Sequence, residues 1–200
     1  MAPHHAMRLI LASSSPYRRE MLQRLELPFE TCSPDIDETP QLHESPVDLA
    51  LRLARGKAQA VSVQFPDALV IGADQVATFD GIPVGKPGNF ENARQQLESF
   101  SGKTVEFHSA LCVTNGRRDL IEDVITTCVF RTLSEAEIDH YLKREQPFDT
   151  AGSAKAEGLG IALMDRMVSD DPTAIIGLPL IALSRMLRNF GLNPLLSLQP

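Results

Sequence analysis

Residues 9–22 read "LILASSSPYRREML", the pattern of a short apolar strand, three serines, a proline and a helix. Ser15 is suited to cap the helix, and Pro16 to its first position. Arg18 and Arg19 then fall in the first turn, where the positive end of the helix dipole disfavours cations. An anion bound there would reverse this penalty, because the dipole and the guanidinium groups would both attract it. The stretch therefore predicts either an anion site or a capped helix with two solvated arginines.

The rest of the chain predicts a mixed α/β fold, with a β-sheet flanked by helices. Apolar runs indicate buried strands at 7–12 and 68–79, the second breaking at Gly72 and delivering Asp74 near its end. The segment 149–164 is expected to be a glycine-punctuated loop that runs into a short strand at Ile161. A hairpin is predicted within 105–133. Helices are predicted to begin at the capping or first-turn residues Ser15, Ser45, Asn89, Ser134 and Pro179.

Composition and charge limit the classes of function. The chain has 200 residues, is 43% hydrophobic and carries a net charge of -7, which argues against general nucleic-acid binding. No apolar run approaches the length of a transmembrane helix, so no membrane partner is expected. Residues 1–6 are expected to form a disordered tail, and 7–196 a single domain.

Cysteine and histidine usage predicts a cytoplasmic protein without a zinc site. Cys32, Cys112 and Cys128 are an odd set with no C-x-x-C pair, which fits a reducing compartment. Cys112 and Cys128 lie in apolar runs and are interpreted as core residues. The histidines show no ligand spacing, and no P-loop, G-x-G-x-x-G or G-x-S-x-G motif is present.

Three polar segments contain residues that could take part in catalysis or binding, and each residue also has a purely structural interpretation. Asp74 in "GADQ" could hold a divalent metal or act as a general base, or it could cap a turn. Glu38 in "DIDETP" could be a metal ligand or a solvated loop acid, and Asp35 and Asp37 compete for its role. Glu157 lies in "AGSAKAEGLG", where small residues permit close approach of a ligand or simply form an irregular turn.

Two lysines are candidates for phosphate binding. Lys86 in "VGKPG" sits in a loop between glycine and proline, from which an ammonium could reach a phosphate. Lys57 lies on a predicted helix near Leu53 and Ala60. Taken alone, Lys86 is more simply explained as an exposed loop lysine, and Lys57 could be an ordinary lysine on the helix surface.

Together these segments resemble one family. "LASSSPYRREML", "DETP", "ARGKAQAV", "IGADQV", "GKP" and "AGSAKAEGLGI" follow the order seen in the Maf family of nucleotide pyrophosphatases, historically called septum formation inhibitors. The resemblance extends from about Met7 to Pro194. It implies two lobes around a central cleft and hydrolysis of a nucleoside triphosphate to a monophosphate and diphosphate. It also implies a divalent cation such as Mg²⁺ or Mn²⁺, and it makes a homodimer plausible.

The resemblance assigns roles to motif positions in this chain. Ser13, Ser15 and Arg18 resemble the family's phosphate-binding loop. The catalytic set corresponds to Asp74, the proposed general base, with Glu38, Lys57 and Lys86. Asp74 and Glu38 would also be the metal ligands.

Three further positions point to a branch of the family. Tyr17, Gln75 and Glu157 stand where the branch acting on dTTP and UTP typically has arginine, threonine and glutamine, and they resemble the branch that hydrolyses 7-methyl-GTP. Tyr17 could stack on the cationic methylated base, and Glu157 could accept hydrogen bonds from its Watson–Crick edge. The sequence therefore predicts an enzyme that removes a modified nucleotide from the pool. A dTTP/UTP pyrophosphatase and a nucleotide-sensing regulator of cell division are the alternatives.

Overall fold

The computed structural model describes residues 7–196, in which seven strands form one mixed sheet and five α-helices surround it. The expected tail at residues 1–6 lies outside the described residues. The strands are β1 Arg8–Leu11, β2 Glu30–Thr31, β3 Ala68–Phe79, β4 Ile82–Val84, β5 Thr104–Thr114, β6 Asp119–Phe130 and β7 Met164–Ser169. The helices are α1 Pro16–Gln23, α2 Pro46–Ser62, α3 Phe90–Phe100, α4 Glu135–Glu145 and α5 Leu180–Asn189. The predicted mixed α/β class is confirmed.

The pairing of the strands leaves a gap beside β3. The sheet order is β2-β1-β3-β5-β6-β7, with β1 parallel to β2 and β3 and the remaining pairs antiparallel. β1 accompanies β3 only as far as Ile71, and the short β4 pairs with β3 only from Ala77 onward. Residues 72–76 of β3 therefore lie between these two partners among the described strands. Asp74, Gln75 and Val76 are partly exposed there, which is where a ligand can approach the sheet.

The expected break of β3 at Gly72 is wrong, because the strand continues without interruption from Ala68 to Phe79. Gly72 instead allows helix α2 to pack directly on the sheet. A Cβ atom at Gly72 would lie 2.1 Å from the carbonyl oxygen of Ala54 and 2.7 Å from the backbone nitrogen of Ala58. The glycine is thus required by the approach of a helix rather than by a turn.

Apolar side chains pack on both faces of the sheet. Helix α2 covers one face with a stripe of small residues, including Ala54 and Ala58. The other face carries two separate clusters, one with α1 and α5 and the other with α3 and α4. Between these two clusters the paired residues Gln75 and Ser109 provide a polar interruption. The core is therefore divided on this face at the same level of β3 as the gap.

The predicted helix starts are confirmed: four are capped by a local side-chain hydrogen bond, and α5 begins directly after Pro179 without one. Ser45 accepts from the Asp48 backbone nitrogen at 3.1 Å, and Ser134 and Glu137 form a reciprocal capping box. The last strand begins at Met164 and not at Ile161, which lies in a 3₁₀ turn over Leu159–Leu163. No helix within the described residues is both long and apolar enough to cross a membrane.

The predicted burial of two cysteines is also confirmed. Cys112 and Cys128 are fully buried in the sheet, while Cys32 is only partly covered. Burial raises the pKa of each of the two core thiols to about 12, so neither ionises near neutral pH. These side chains act as small apolar residues.

Candidate functional site

A cavity of about 610 Å³ opens at the gap beside β3. All ten residues predicted for the site line this one cavity: Ser13, Ser15, Tyr17, Arg18, Glu38, Lys57, Asp74, Gln75, Lys86 and Glu157. Asp74 is not near the end of its strand, as predicted, but in the middle of β3. It reaches the cavity because β1 stops at Leu11, opposite Ile71, and leaves the following part of β3 open.

The serine loop and the start of α1 form one wall of the cavity. The hydroxyl of Ser13 accepts from the backbone nitrogen of Ser15 at 3.0 Å, and the hydroxyl of Ser15 accepts from that of Arg18 at 3.4 Å. These bonds hold the loop in position at the amino end of the helix. The wall is suited to an anion because the positive end of the α1 dipole lies at the cavity.

Only one of the two arginines faces this cavity. Arg19 is exposed, whereas the Nε of Arg18 donates to the carbonyl oxygen of Gly177 at 3.0 Å. Burial lowers the pKa of the Arg18 guanidinium, and the charges of Asp74 and Glu38 oppose that shift. A guanidinium in this environment remains a cation at neutral pH. It is therefore a fixed positive charge at the helix end, held there by contacts outside the helix.

A second charged group lies across the cavity, where Lys57 joins two carboxylates. Its Nζ lies 2.8 Å from Asp74 Oδ1 and 3.0 Å from Glu38 Oε1, and its side chain is only 10% exposed. Lys57 belongs to the buried face of α2, so its ammonium needs these partners to offset the loss of hydration. The contact of α2 with Gly72 brings this lysine to Asp74.

The three acids of "DIDE" differ in their position relative to the cavity. Glu38 lines the cavity, and neither Asp35 nor Asp37 does. The carboxylate of Asp37 accepts from the backbone nitrogen of Thr39 at 2.9 Å and so stabilises a turn. Within residues 7–196 no group of three or more histidine, cysteine, aspartate or glutamate side chains is arranged to hold a metal.

Lys86 projects from a loop with a well-fixed backbone. Gly88 donates to the carbonyl oxygen of Phe148 at 2.9 Å, and the Asn92 side chain donates to that of Pro87 at 2.9 Å. The Lys86 side chain itself is exposed. Its ammonium can therefore follow a ligand while its backbone stays in place.

The Gln75 side chain makes hydrogen bonds within the protein that the sequence did not predict. Its amide nitrogen donates to the carbonyl oxygens of Ala174 and Ile175 at 3.2 and 3.1 Å and to the hydroxyl of Ser109 at 3.2 Å. These bonds anchor the segment that ends at Gly177, the partner of Arg18. Gln75 thus supports the phosphate-side arginine through a loop, and its amide nitrogen would have to leave these partners to contact a nucleotide.

The far end of the cavity holds Tyr17, Glu157 and Asp149. The Tyr17 hydroxyl donates to Asp149 Oδ2 at 3.1 Å, and all three residues line the cavity. Sequence reasoning missed Asp149, since its only signal was its position directly before the glycine-rich segment. It also missed Gly177, whose carbonyl role depends on a contact across 159 positions of the chain.

Comparisons with known proteins found matches in both sequence and structure. The profile of the Maf family, described as "Maf-like protein", matches residues 8–190. A 7-methyl-GTP pyrophosphatase of Bordetella avium is 66% identical over 97% of this chain and 98% of that protein. Proteins of the same name from Burkholderia orbicola and Cupriavidus pinatubonensis are 61% and 59% identical, over 90% and 92% of this chain and 89% and 94% of theirs. Among solved structures, the Ham1 protein of Staphylococcus aureus matches with a TM-score of 0.43 and 13% identity, over 62% of this chain and 71% of that one.

Proposed function

The chain belongs to the Maf family, and on this premise we propose that it hydrolyses 7-methyl-GTP to 7-methyl-GMP and diphosphate. One observation carries the proposal: the charged groups suited to a triphosphate and the side chains suited to a methylated purine line the same cavity. The near full-length relatives named 7-methyl-GTP pyrophosphatase support it. Removal of such nucleotides would protect the pool, because they resemble the normal precursors.

At the phosphate end, Arg18, Lys57 and Lys86 would neutralise the triphosphate, together with the amino end of α1. Phosphoryl transfer depends mainly on such neutralisation and on an oriented nucleophile. Asp74 would orient a water molecule and accept its proton as the water oxygen attacks the α–β linkage. A new P–O bond forms between water and the attacked phosphorus, the bond from that phosphorus to the bridging oxygen breaks, and the bridging oxygen leaves with the other product, giving 7-methyl-GMP and diphosphate.

Lys57 would also orient the catalytic base. Its ammonium lies 2.8 Å from Asp74 and fixes the direction of the carboxylate that would act as the base. Buried on α2, it cannot move far from this position. Replacing it would therefore affect both the charge of the cavity and the orientation of the base.

The two carboxylates also fit the divalent cation that the family resemblance implies. Asp74 and Glu38 offer hard oxygen ligands on one side of the cavity, and Mg²⁺ commonly binds through one or two carboxylates together with phosphate oxygens and water. The absence of a complete all-protein ligand cage in residues 7–196 agrees with that mode of binding. When bound, the cation would supply further neutralisation of phosphate charge.

At the base end, Tyr17 and Glu157 would select the methylated purine. Methylation at N7 makes the guanine ring cationic, and stacking on Tyr17 would contribute roughly 0.5–2 kcal/mol through a cation–π interaction. The Glu157 carboxylate would accept from the donors of the Watson–Crick edge. A pyrimidine carbonyl at that place would be repelled.

Release of diphosphate from a panel of 7-methyl-GTP, GTP, dTTP and UTP tests the proposal. We expect the highest kcat/KM for 7-methyl-GTP, and a preference for dTTP or UTP would overturn the substrate assignment. Asp74→Asn should abolish turnover while nucleotide binding is retained, which separates an enzyme from a nucleotide sensor. Asp67→Asn is the matched control, since this exposed carboxylate precedes β3 outside the cavity. Cytoplasmic location, a homodimer and the absence of nucleic-acid partners stay predictions.

A further inference from the structure

Two charged side chains beside Tyr17, Asp149 and Lys155, have no part in the proposed reaction. Tyr17 donates its hydroxyl to Asp149 at 3.1 Å, and Lys155 Nζ lies 3.8 Å from the other carboxylate oxygen of Asp149. The same Nζ lies 5.8 Å from the centroid of the Tyr17 ring. We call Tyr17, Asp149 and Lys155 the base-end cluster. Asp149 lines the cavity with a side chain that is 60% exposed, whereas Lys155 is not among the lining residues and is only 17% exposed.

Lys155 is held in this position by its backbone. Its backbone nitrogen donates to the hydroxyl of Tyr141 at 3.1 Å, and that hydroxyl donates to the carbonyl oxygen of Ser153 at 2.9 Å. Tyr141 is buried in α4. The chain also turns so tightly that a Cβ at Gly160 would lie 2.5 Å from the Lys155 carbonyl oxygen. The ammonium is therefore directed to the ring and the carboxylate by a rigid frame.

The charge state of Lys155 follows from its surroundings. Burial lowers the pKa of its ammonium, but the Tyr17 hydroxyl and Asp149 outweigh burial and hold that pKa above the ordinary value. Glu145, whose carboxylate accepts from the Leu159 backbone nitrogen, adds to the same shift. Lys155 is thus a cation at neutral pH and compensates part of the negative charge of Asp149.

The charge beside Tyr17 is negative where it faces the cavity. Asp149, which accepts from the Tyr17 hydroxyl, lines the cavity, whereas its cationic neighbour Lys155 does not. Glu157 is a second carboxylate among the lining residues. A positively charged ring on Tyr17 would be attracted by the adjacent Asp149 carboxylate, and a neutral ring would not.

We propose that Asp149 and Lys155 set how strongly the enzyme prefers a cationic 7-methylated base over its neutral counterpart. Asp149 is a specificity-determining residue whose negative charge favours the cationic ring over Tyr17. Lys155 is a positioning residue that orients Tyr17 and Asp149 and limits their attraction for a cation. This inference rests on the proposed function and adds to it a source of selectivity beyond Tyr17 and Glu157.

Opposite effects of two single substitutions follow from this assignment. Asp149→Asn removes the negative charge but keeps an oxygen that can accept from the Tyr17 hydroxyl. Lys155→Met removes the positive charge but keeps an unbranched stem beside the ring. The first should weaken the preference for the cationic base, and the second should strengthen it, because Asp149 is then uncompensated.

The experiment measures kcat/KM for 7-methyl-GTP and for GTP, two nucleotides that differ in base charge, and compares their ratio among variants. We expect Asp149→Asn to lower the ratio by about threefold and Lys155→Met to raise it by about threefold, as for one partly screened ion pair. Lys155→Arg, which keeps the charge, should leave the ratio within about twofold of wild type. Asp67→Asn controls for net charge alone. The double variant of Asp149→Asn and Lys155→Met should return towards the wild-type ratio.

The outcomes separate this inference from the proposed function. If both single variants lower kcat/KM for the two nucleotides equally, the cluster has only a structural role and the inference is wrong. A shift of the ratio in the same direction in both variants contradicts it as well. If the wild-type enzyme does not hydrolyse 7-methyl-GTP, the proposed function itself fails and this inference fails with it.

Discussion

Replacement of Gly72 by alanine should destabilise the protein and misalign the Asp74 carboxylate, the proposed catalytic base, at the same time. The added Cβ would lie 2.1 Å from the carbonyl oxygen of Ala54 and 2.9 Å from the Cβ of Ala58, and the first of these contacts is with backbone that no rotamer change can relieve. Because non-bonded atoms are most stable about 3.5 Å apart, helix α2 would have to move outward by roughly 1 Å. Such overpacking costs about 3 kcal/mol in free energy of unfolding, the upper part of the usual range.

The displaced helix carries Lys57, so Gly72→Ala should also lower the rate of hydrolysis. The 2.8 Å contact between Lys57 and Asp74 cannot be kept if α2 moves away from β3. A misplacement of about 1 Å can lower turnover by roughly 100-fold. We therefore expect kcat/KM to fall by about that factor in Gly72→Ala protein that is still folded.

Urea denaturation followed by circular dichroism, together with diphosphate release under folding conditions, measures both effects. Gly56→Ala is the matched control, because Gly56 lies in the same helix and its Cβ would meet only the Ile36 side chain, at 3.4 Å. There the change should stabilise the helix by about 0.5–1 kcal/mol. The reasoning is refuted if Gly72→Ala unfolds within about 0.5 kcal/mol of the wild type.

Three further outcomes are expected. Glu157→Gln should reduce the preference for 7-methyl-GTP over UTP by about fivefold in diphosphate release, since a charge-assisted hydrogen bond becomes a neutral one; an unchanged preference would contradict its role. Asp171→Ala should lower the free energy of unfolding by about 2–3 kcal/mol, because the Asp171 carboxylate accepts from Thr173 and from the first turn of α5. The same change at the exposed Asp170 should have little effect in the same urea assay. The hydrogen bond to Asp123 raises the pKa of His108 above 6.5. The charged His108 side chain therefore stabilises the folded protein below pH 6.5, and this stabilisation is lost as the pH rises through the raised pKa of the folded state. The stability difference between wild type and His108→Gln should therefore shrink between about pH 6 and pH 9 in urea titrations.

The sequence predicted those parts of the fold that depend on neighbouring residues. The starts of α2 and α4 were found because the side chains of Ser45 and Ser134 accept from backbone nitrogens three positions further along the chain. The predicted hairpin of β5 and β6 likewise follows from local chemistry, since Gly116 in its turn has a positive φ. The order of the motifs along the chain assigned the ten candidate residues to one site.

Features that depend on contacts distant in sequence were misread or missed. Gly72 looked like a strand break, because nothing near it in the chain shows that α2 lies against it. Gln75 looked like a residue that reads the base, although its amide nitrogen bonds to Ala174 and Ile175, about 100 positions away. The Asp149 and Lys155 pair could not be predicted either, since its effect depends on where Tyr17 lies.

The position of the site follows from one property of β3, the alternation of side chains between the two faces of a sheet. Asp74 points to the face covered by α2 and meets Lys57 there, while Gln75 points to the opposite face and holds the loop that ends at Gly177. Inside a continuous sheet these two residues would be separated by the strand itself. β1 pairs with β3 only up to Ile71, and β4 pairs with β3 only from Ala77 onward. The edge of β3 is therefore open at Asp74 and Gln75, and both faces of the sheet contribute to one cavity. The two arginines at the start of α1 differ in their surroundings: Arg18 lines this cavity and donates to the Gly177 carbonyl, whereas Arg19 is exposed to solvent.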